Sequence, residues 1–269
     1  MKSFAVIFLL VIFTNMIFSQ EKVIIEKGYL TLTEAAAEYY QKLLPSGIDF
    51  SESDYFPPLY NQTHWVCNQS ASSYYMLTFE TNKMKEVSSS IPENQFSVYF
   101  PWNFGNGGNG WYGDNYVITM EMMKQLGIPK LADCEADVLR DSALWMSGYN
   151  YYYEAMHNRI EYYLRIKTNT VTGLTTLKSW VYDNCGSEYY GGTATFLANI
   201  AENGSAHFEN GTPEEGAYVI TKCGDDALHA RTIVGYNDNV CFDYNDDGEY
   251  TNDIDLNSDG IIDVRDYEK

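Results

Sequence analysis

The feature that most constrains this chain is a polar loop running into a single cysteine, Asn61-Gln-Thr-His-Trp-Val-Cys67, followed by residues with helical spacing. Ala71, Tyr74, Tyr75, Leu77 and Thr78 recur at roughly that period, which predicts a helix over about 67–85 with apolar residues on more than one face. Such a helix belongs in the interior. A cysteine in its first turn meets the positive end of the helix dipole, which favours a thiolate. Gln62, five residues earlier, can aim an amide at the same point. This combination reads as a cysteine nucleophile with a donor for a developing oxyanion. A buried structural cysteine at a helix start is the competing reading.

The surrounding sequence limits what such a helix can serve. Residues 1–20 carry one lysine and then an apolar run ending in Phe18-Ser19-Gln20, the pattern of a secretory signal peptide, so the mature protein is expected to be secreted or periplasmic. No later stretch is apolar for long enough to make a stable membrane span. With 37 acidic against 17 basic residues and a net charge of −20, there is no basic stripe to displace counterions, so nucleic acid is not expected as a partner. Five cysteines in an exported chain leave at least one outside any intramolecular disulfide. No C-x-x-C pair suggests structural zinc.

The rest of the chain divides by composition. Residues 21–48 read as an N-terminal extension or short pro-segment, with a helix over about 32–44 that starts near Thr31 or Thr33. Residues 49–242 form the main domain. Within it, 49–62 is extended and 87–114 is loop-rich. Asn115–Leu126 is a helix capped by Gly127, with Pro129 beyond it. Residues 145–153 are strongly aromatic. Tyr162–Ile166 and Ala194–Ile200 read as strands, and 172–182 as a helix. Residues 227–236 and 240–242 read as two strands of a hairpin turning at Asn237-Asp238-Asn239. Residues 243–269 form an acidic tail.

Taken together, Gln62…Cys67 opening a helix, Asn106-Gly107-Gly108 before a second helix, and His229-Ala followed by Val234-Gly-Tyr236 resemble the papain-like cysteine peptidases, in a secreted bacterial-type branch. The resemblance covers roughly 49–242. It implies an α+β fold with two lobes, one helical and one β-rich, and a cysteine-type endopeptidase acting on protein or peptide substrates. By resemblance Cys67 is the nucleophile and His229 the acid/base. Gln62 and the Cys67 N–H line the oxyanion hole, and Gly107 and Gly108 line the substrate cleft. The separation of Cys67 from His229 is somewhat above the roughly 130–150 residues of papain-type chains, which an insertion within 141–216 accounts for.

Three departures accompany the resemblance. Asn68 stands where the family has Trp, and the Gln62–Cys67 gap is one residue short. No Asn-Ser-Trp follows His229, so the Asn that orients the imidazole is missing. A C-terminal part that is incomplete, another orienter or an inactive enzyme each fit that departure. His64, His157 and His207 have weaker claims to catalysis.

The tail contains two copies of a D-x-N-x-D-G pattern. The first carries Asp243, Asn245 and Asp247. The second carries Asp255, Asn257 and Asp259, with Asp263 and Asp266 at its ninth and twelfth positions. Oxygen ligands at alternate positions before a turn-forming glycine suit structural Ca²⁺. The repeats resemble thrombospondin type 3 or dockerin loops; a solvated acidic tail is the alternative. A reading from a different class is a non-catalytic secreted module, in which the aromatic-rich surface binds sugar or protein in a calcium-dependent way.

Overall fold

The computed structural model describes residues 23–107, 113, 115–134, 148–186, 191–199, 204–208, 214–222, 228–243, 248, 255 and 260–262. It contains both helices and strands, an α+β composition. The chain divides into two compact units. One comprises Met1–Ile48, Leu164–Gly192 and Tyr236–Lys269; the other comprises Asp49–Tyr163 and Thr193–Gly235. The signal-peptide residues expected at 1–20 lie outside the described residues.

In the first unit, β1 (Val23–Glu26) and β2 (Tyr29–Leu32) form an antiparallel hairpin, with Glu26 opposite Tyr29. Lys27 and Gly28 both have positive φ, 52° and 77°, the sign that two-residue hairpin turns require. Leu30 and Leu32 point inward and are buried. Helix α1 (Glu34–Leu43) follows at once. Thr33 caps it, its hydroxyl accepting from Ala36 N–H at 3.3 Å. The alanine-rich face of α1 and Tyr40 pack with Leu30, Leu32 and Cys185 into one core. Further along the unit, α6 (Val171–Asp183) is capped by Thr170, whose hydroxyl accepts from Gly173 N–H. Thr176 Oγ1 on α6 accepts the Leu32 N–H at 3.1 Å, tying the helix to the hairpin. Tyr40 donates its hydroxyl to Asp183 at 2.9 Å. Burial, then that carboxylate, holds the phenol well above its ordinary value.

The second unit is built around α2, the helix that the sequence places at 67–85. Its α-helical ends, Cys67–Gln69 and Thr78–Lys85, enclose an eight-residue π-helical stretch, Ser70–Leu77. The serines explain the widening. Ser72 Oγ donates to the Asn68 carbonyl and Ser73 Oγ to the Gln69 carbonyl, each four residues back. Those hydroxyls compete with backbone N–H groups for the same acceptors. Helices α3 (Tyr99–Gly105), α4 (Tyr116–Gln125) and α5 (Tyr149–Met156) complete the helical part. Leu77, Phe96, Phe100, Met120, Met123 and Ile128 form one core, and Val66, Tyr74, Val98, Tyr99 and Trp102 another.

The strands of this unit are β4 (Ala194–Asn199) paired antiparallel with β7 (Leu228–Ile233), and β5 (Gly204–His207) paired with β6 (Tyr218–Lys222). Thus 227–242 is not a hairpin. β7 takes β4 as its partner, while β8 (Gly235–Asn237) pairs with β3 (Gly47–Asp49). Residues 240–242 form no strand. The alternation in 227–236 is real, but strand partners come from distant segments. Residues 162–166 also fall short of a strand, making only an isolated bridge from Arg165 to Tyr29. Part of the stretch read as loop, 87–114, is the helix α3. Its Pro101 lies in the first turn, where proline is tolerated.

No helix among the described residues is long and apolar enough to cross a membrane.

Candidate functional site

Cys67 is the first residue of α2 and keeps partial exposure, whereas Asn68 and Gln69 beside it are buried. The preceding residue, Val66, offers no side-chain acceptor to the first-turn N–H groups. The Cys67 sulfur therefore starts a helix whose positive end no side chain caps. Asn68, standing where the resemblance calls for a tryptophan, is a tether: its Nδ2 donates to Thr119 Oγ1 on α4 at 2.9 Å, and Gln69 Nε2 donates to the same oxygen at 3.1 Å. The nucleophile candidate is thus held by two buried amides onto a neighbouring helix. Thr119 was not singled out in the sequence, because a lone threonine on an amphipathic helix carries no signal of its own.

His229 lies on β7, opposite Ala198 of β4. The turn that begins with Cys67 packs against this strand, as does the π-helical stretch after it. Thr232 Oγ1 donates to the Ala71 carbonyl at 3.0 Å, and Ala230, on the same face by strand alternation, is buried. Alternation projects His229 from the other face of β7. No hydrogen bond joins Cys67 and His229 among the described residues; the fold brings their elements together and leaves the two side chains unjoined. Burial first, then the Arg231 guanidinium, keeps the His229 pKa below the ordinary 6.5. The imidazole is therefore neutral at neutral pH, the state a general base needs.

Gln62 is exposed and donates one Nε2–H to the His64 carbonyl at 2.8 Å, which leaves its second amide hydrogen available. Gly107 sits just past α3 with φ +64°, in open space. Gly108 lies outside the described residues. The other histidines have structural surroundings. His64 packs on Tyr99 and Trp102, His157 on Tyr153, and His207 on Tyr218 with its Nδ1 2.8 Å from the Gly216 carbonyl oxygen.

A carboxyl that sequence reasoning passed over sits farther along α2. Glu80 Oε1 accepts from Thr193 Oγ1 at 3.3 Å, and Lys83 is the nearby cation. Burial raises the Glu80 pKa to about 8, against the opposing pull of Thr193 and Lys83. Thr193 immediately precedes β4. Glu80 and Thr232 therefore pin the two strands of the β4–β7 pair to the helix that carries Cys67.

In the tail, Asp243 and Asp255 are described and make the same hydrogen bond. Each carboxylate accepts the N–H of the glycine five residues on, Gly248 or Gly260, at 2.7 Å. Both glycines have positive φ, 83° and 85°, as the sixth position of a calcium loop requires. Asn245, Asp247, Asn257, Asp259, Asp263 and Asp266 lie outside the described residues. Among the described residues, no three His, Cys, Asp or Glu side chains converge as a metal site.

No family model and no curated protein matches the chain. Among solved structures it is similar to xylellain, a cysteine protease from Xylella fastidiosa, at 14% sequence identity and a TM-score of 0.48, over 77% of this chain and 74% of that one. That likeness is too loose to assign an activity or the residues that perform it.

Proposed function

We propose that this protein is a secreted, papain-like cysteine endopeptidase of two lobes, with Cys67 as nucleophile and His229 as its acid/base partner. The observation that carries the reading is the partly exposed Cys67 at the head of α2, packed against the strand that bears a neutral imidazole. In this reading His229 takes the thiol proton and the thiolate adds to the peptide carbonyl. The imidazolium then protonates the leaving amine, and water hydrolyses the resulting thioester. The Cys67 N–H and the second Gln62 amide hydrogen receive the oxyanion, and Gly107 and Gly108 leave backbone groups open to an extended peptide.

An epoxide inhibitor of cysteine peptidases tests this. It is expected to alkylate Cys67 far faster than Cys134, Cys185, Cys223 or Cys241, and Cys67→Ala is expected to abolish peptide cleavage. Equal, slow labelling of all five would reject the assignment. The unjoined Cys67 and His229 favour a second reading, a non-catalytic secreted module, which predicts that outcome. In either case we propose that the tail repeats bind structural Ca²⁺. Asp259→Ala should then remove calcium-dependent thermal stabilisation, and a wild-type melting temperature indifferent to calcium would reject the loops.

A further inference from the structure

We infer, resting on the peptidase reading, that Thr119 is a positioning residue for the hydrolysis: its buried hydroxyl sets the direction in which the Cys67 sulfur leaves the first turn of α2. That turn is weakly held by its own helix. Only Cys67–Gln69 precede the π-helical stretch, and no side chain caps them. Ser70 N–H closes the turn on the Val66 carbonyl at 2.8 Å. Beyond it, the Asn68 and Gln69 carbonyls accept the Ser72 and Ser73 hydroxyls at 2.6 and 2.7 Å. Back-bonding of this kind loosens and bends a helix rather than fixing its rotation.

The turn is fixed from the side instead. Asn68 and Gln69 are successive residues, so their side chains leave the helix axis about 100° apart. Both nevertheless converge on one atom. Thr119 Oγ1 accepts from Asn68 Nδ2 at 2.9 Å and from Gln69 Nε2 at 3.1 Å. All three residues are buried. Two arms of different length meeting at one point triangulate the turn, because rotation in either sense stretches one of the bonds. Among the described residues Thr119 is the one hydrogen-bond partner of the Asn68 side chain, whose Oδ1 makes none. Cys67 is the residue before Asn68, so any rotation of the turn carries the sulfur with it.

The acceptor is itself held in place. Thr119 lies in the first turn of α4, where its N–H donates to the Asn115 carbonyl at 3.3 Å. Asn115 caps the helix by accepting from Val117 N–H at 2.9 Å. Met120 and Met123, on the same helix, are packed into the core with Leu77 of α2. Attack on a peptide carbonyl needs the sulfur in line, and a misplacement of about 1 Å costs about 100-fold in rate. Gln62 and Gly107, the proposed substrate contacts, lie outside the turn. Freeing it therefore lowers the rate of the chemical step and leaves substrate affinity in place.

Thr119→Val keeps the shape of the side chain and removes the shared acceptor. In the full chain it should lower kcat for peptide cleavage about tenfold or more with KM unchanged, and slow alkylation of Cys67 by an epoxide inhibitor by the same factor. Thr119→Ser keeps the hydroxyl and should restore both rates. Asn68→Ala leaves Gln69 bonded to Thr119 and should cause a smaller fall in the same direction; it carries the test if Thr119→Val does not fold. A folded Thr119→Val protein that melts lower yet cleaves and is alkylated at wild-type rates would overturn the inference, leaving Thr119 as a stability contact only. A rise in KM with kcat unchanged, or a serine variant as slow as the valine one, would overturn it as well. Slow alkylation of Cys67 in the wild type would remove the peptidase reading and this inference together, whereas fast wild-type alkylation that the variants leave unchanged would remove this inference alone.

Discussion

Replacing Glu80 with glutamine should make the protein more stable, and by an amount that depends on pH. In the folded chain burial lifts this carboxyl from an ordinary 4.5 to about 8. The unfolded chain releases its proton near 4.5, while the folded chain holds it until about pH 8. Across that window the folded state binds more protons, so stability falls as pH rises and then levels off above about 8. At about 1.36 kcal/mol per tenfold change in proton affinity, the full interval corresponds to a ceiling of about 5 kcal/mol. Glu80 keeps partial exposure and has Lys83 nearby, so we expect about 2 kcal/mol to be realised. Glutamine keeps the acceptor for Thr193 and never ionises. Urea unfolding of both proteins at pH 4.5, 6, 7.5 and 9 isolates this one group, because the other titrations are common to both. The variant should match wild type at pH 4.5 and gain steadily up to pH 9. A variant that is less stable throughout, or whose advantage does not change with pH, would refute the reasoning.

Three further outcomes follow from the same geometry. Thr232→Val removes the donor to the Ala71 carbonyl and should cost about 1 kcal/mol, with faster amide exchange in β7 than in α4; unchanged protection of β7 would count against Thr232 as a clamp. Gly127→Ala forces a positive φ and a backbone clash, and should cost about 3 kcal/mol or more by thermal unfolding; a near-neutral effect would show that the α4–α5 approach is not tight. The His229 imidazole should titrate below 6.5 by NMR of its ring protons in the uninhibited protein, so the unfolded chain binds more protons there and the folded state gains stability as pH rises toward 6.5; a midpoint above 6.5 would point to a preformed ion pair instead.

The candidate site is partly legible in the sequence. Helix α2 starts at Cys67 because a polar loop gives way there to helical spacing, and Asn115 and Thr33 cap helices where short polar side chains precede periodic ones. His229 could be placed on a strand. Its relation to Cys67 could not, because that depends on which face of β7 meets α2. The hairpin read into 227–242 failed for the same reason. Alternation shows that a segment can be a strand, but its partner is chosen by packing, here β4 for β7 and β3 for β8.

Local chemistry is written in the order of residues: helix starts, the turn glycines of the acidic tail, the aromatic run on α5, the charge balance that disfavours nucleic acid. These depend on near neighbours along the chain, and near neighbours are known from sequence. The proton held by Glu80, the amides that anchor the Cys67 turn to Thr119 and the unjoined Cys67 and His229 are different. Each depends on burial or on atoms from segments dozens of residues away. Desolvation and hydrogen-bond geometry exist only once those segments meet, so the tertiary structure alone decides them.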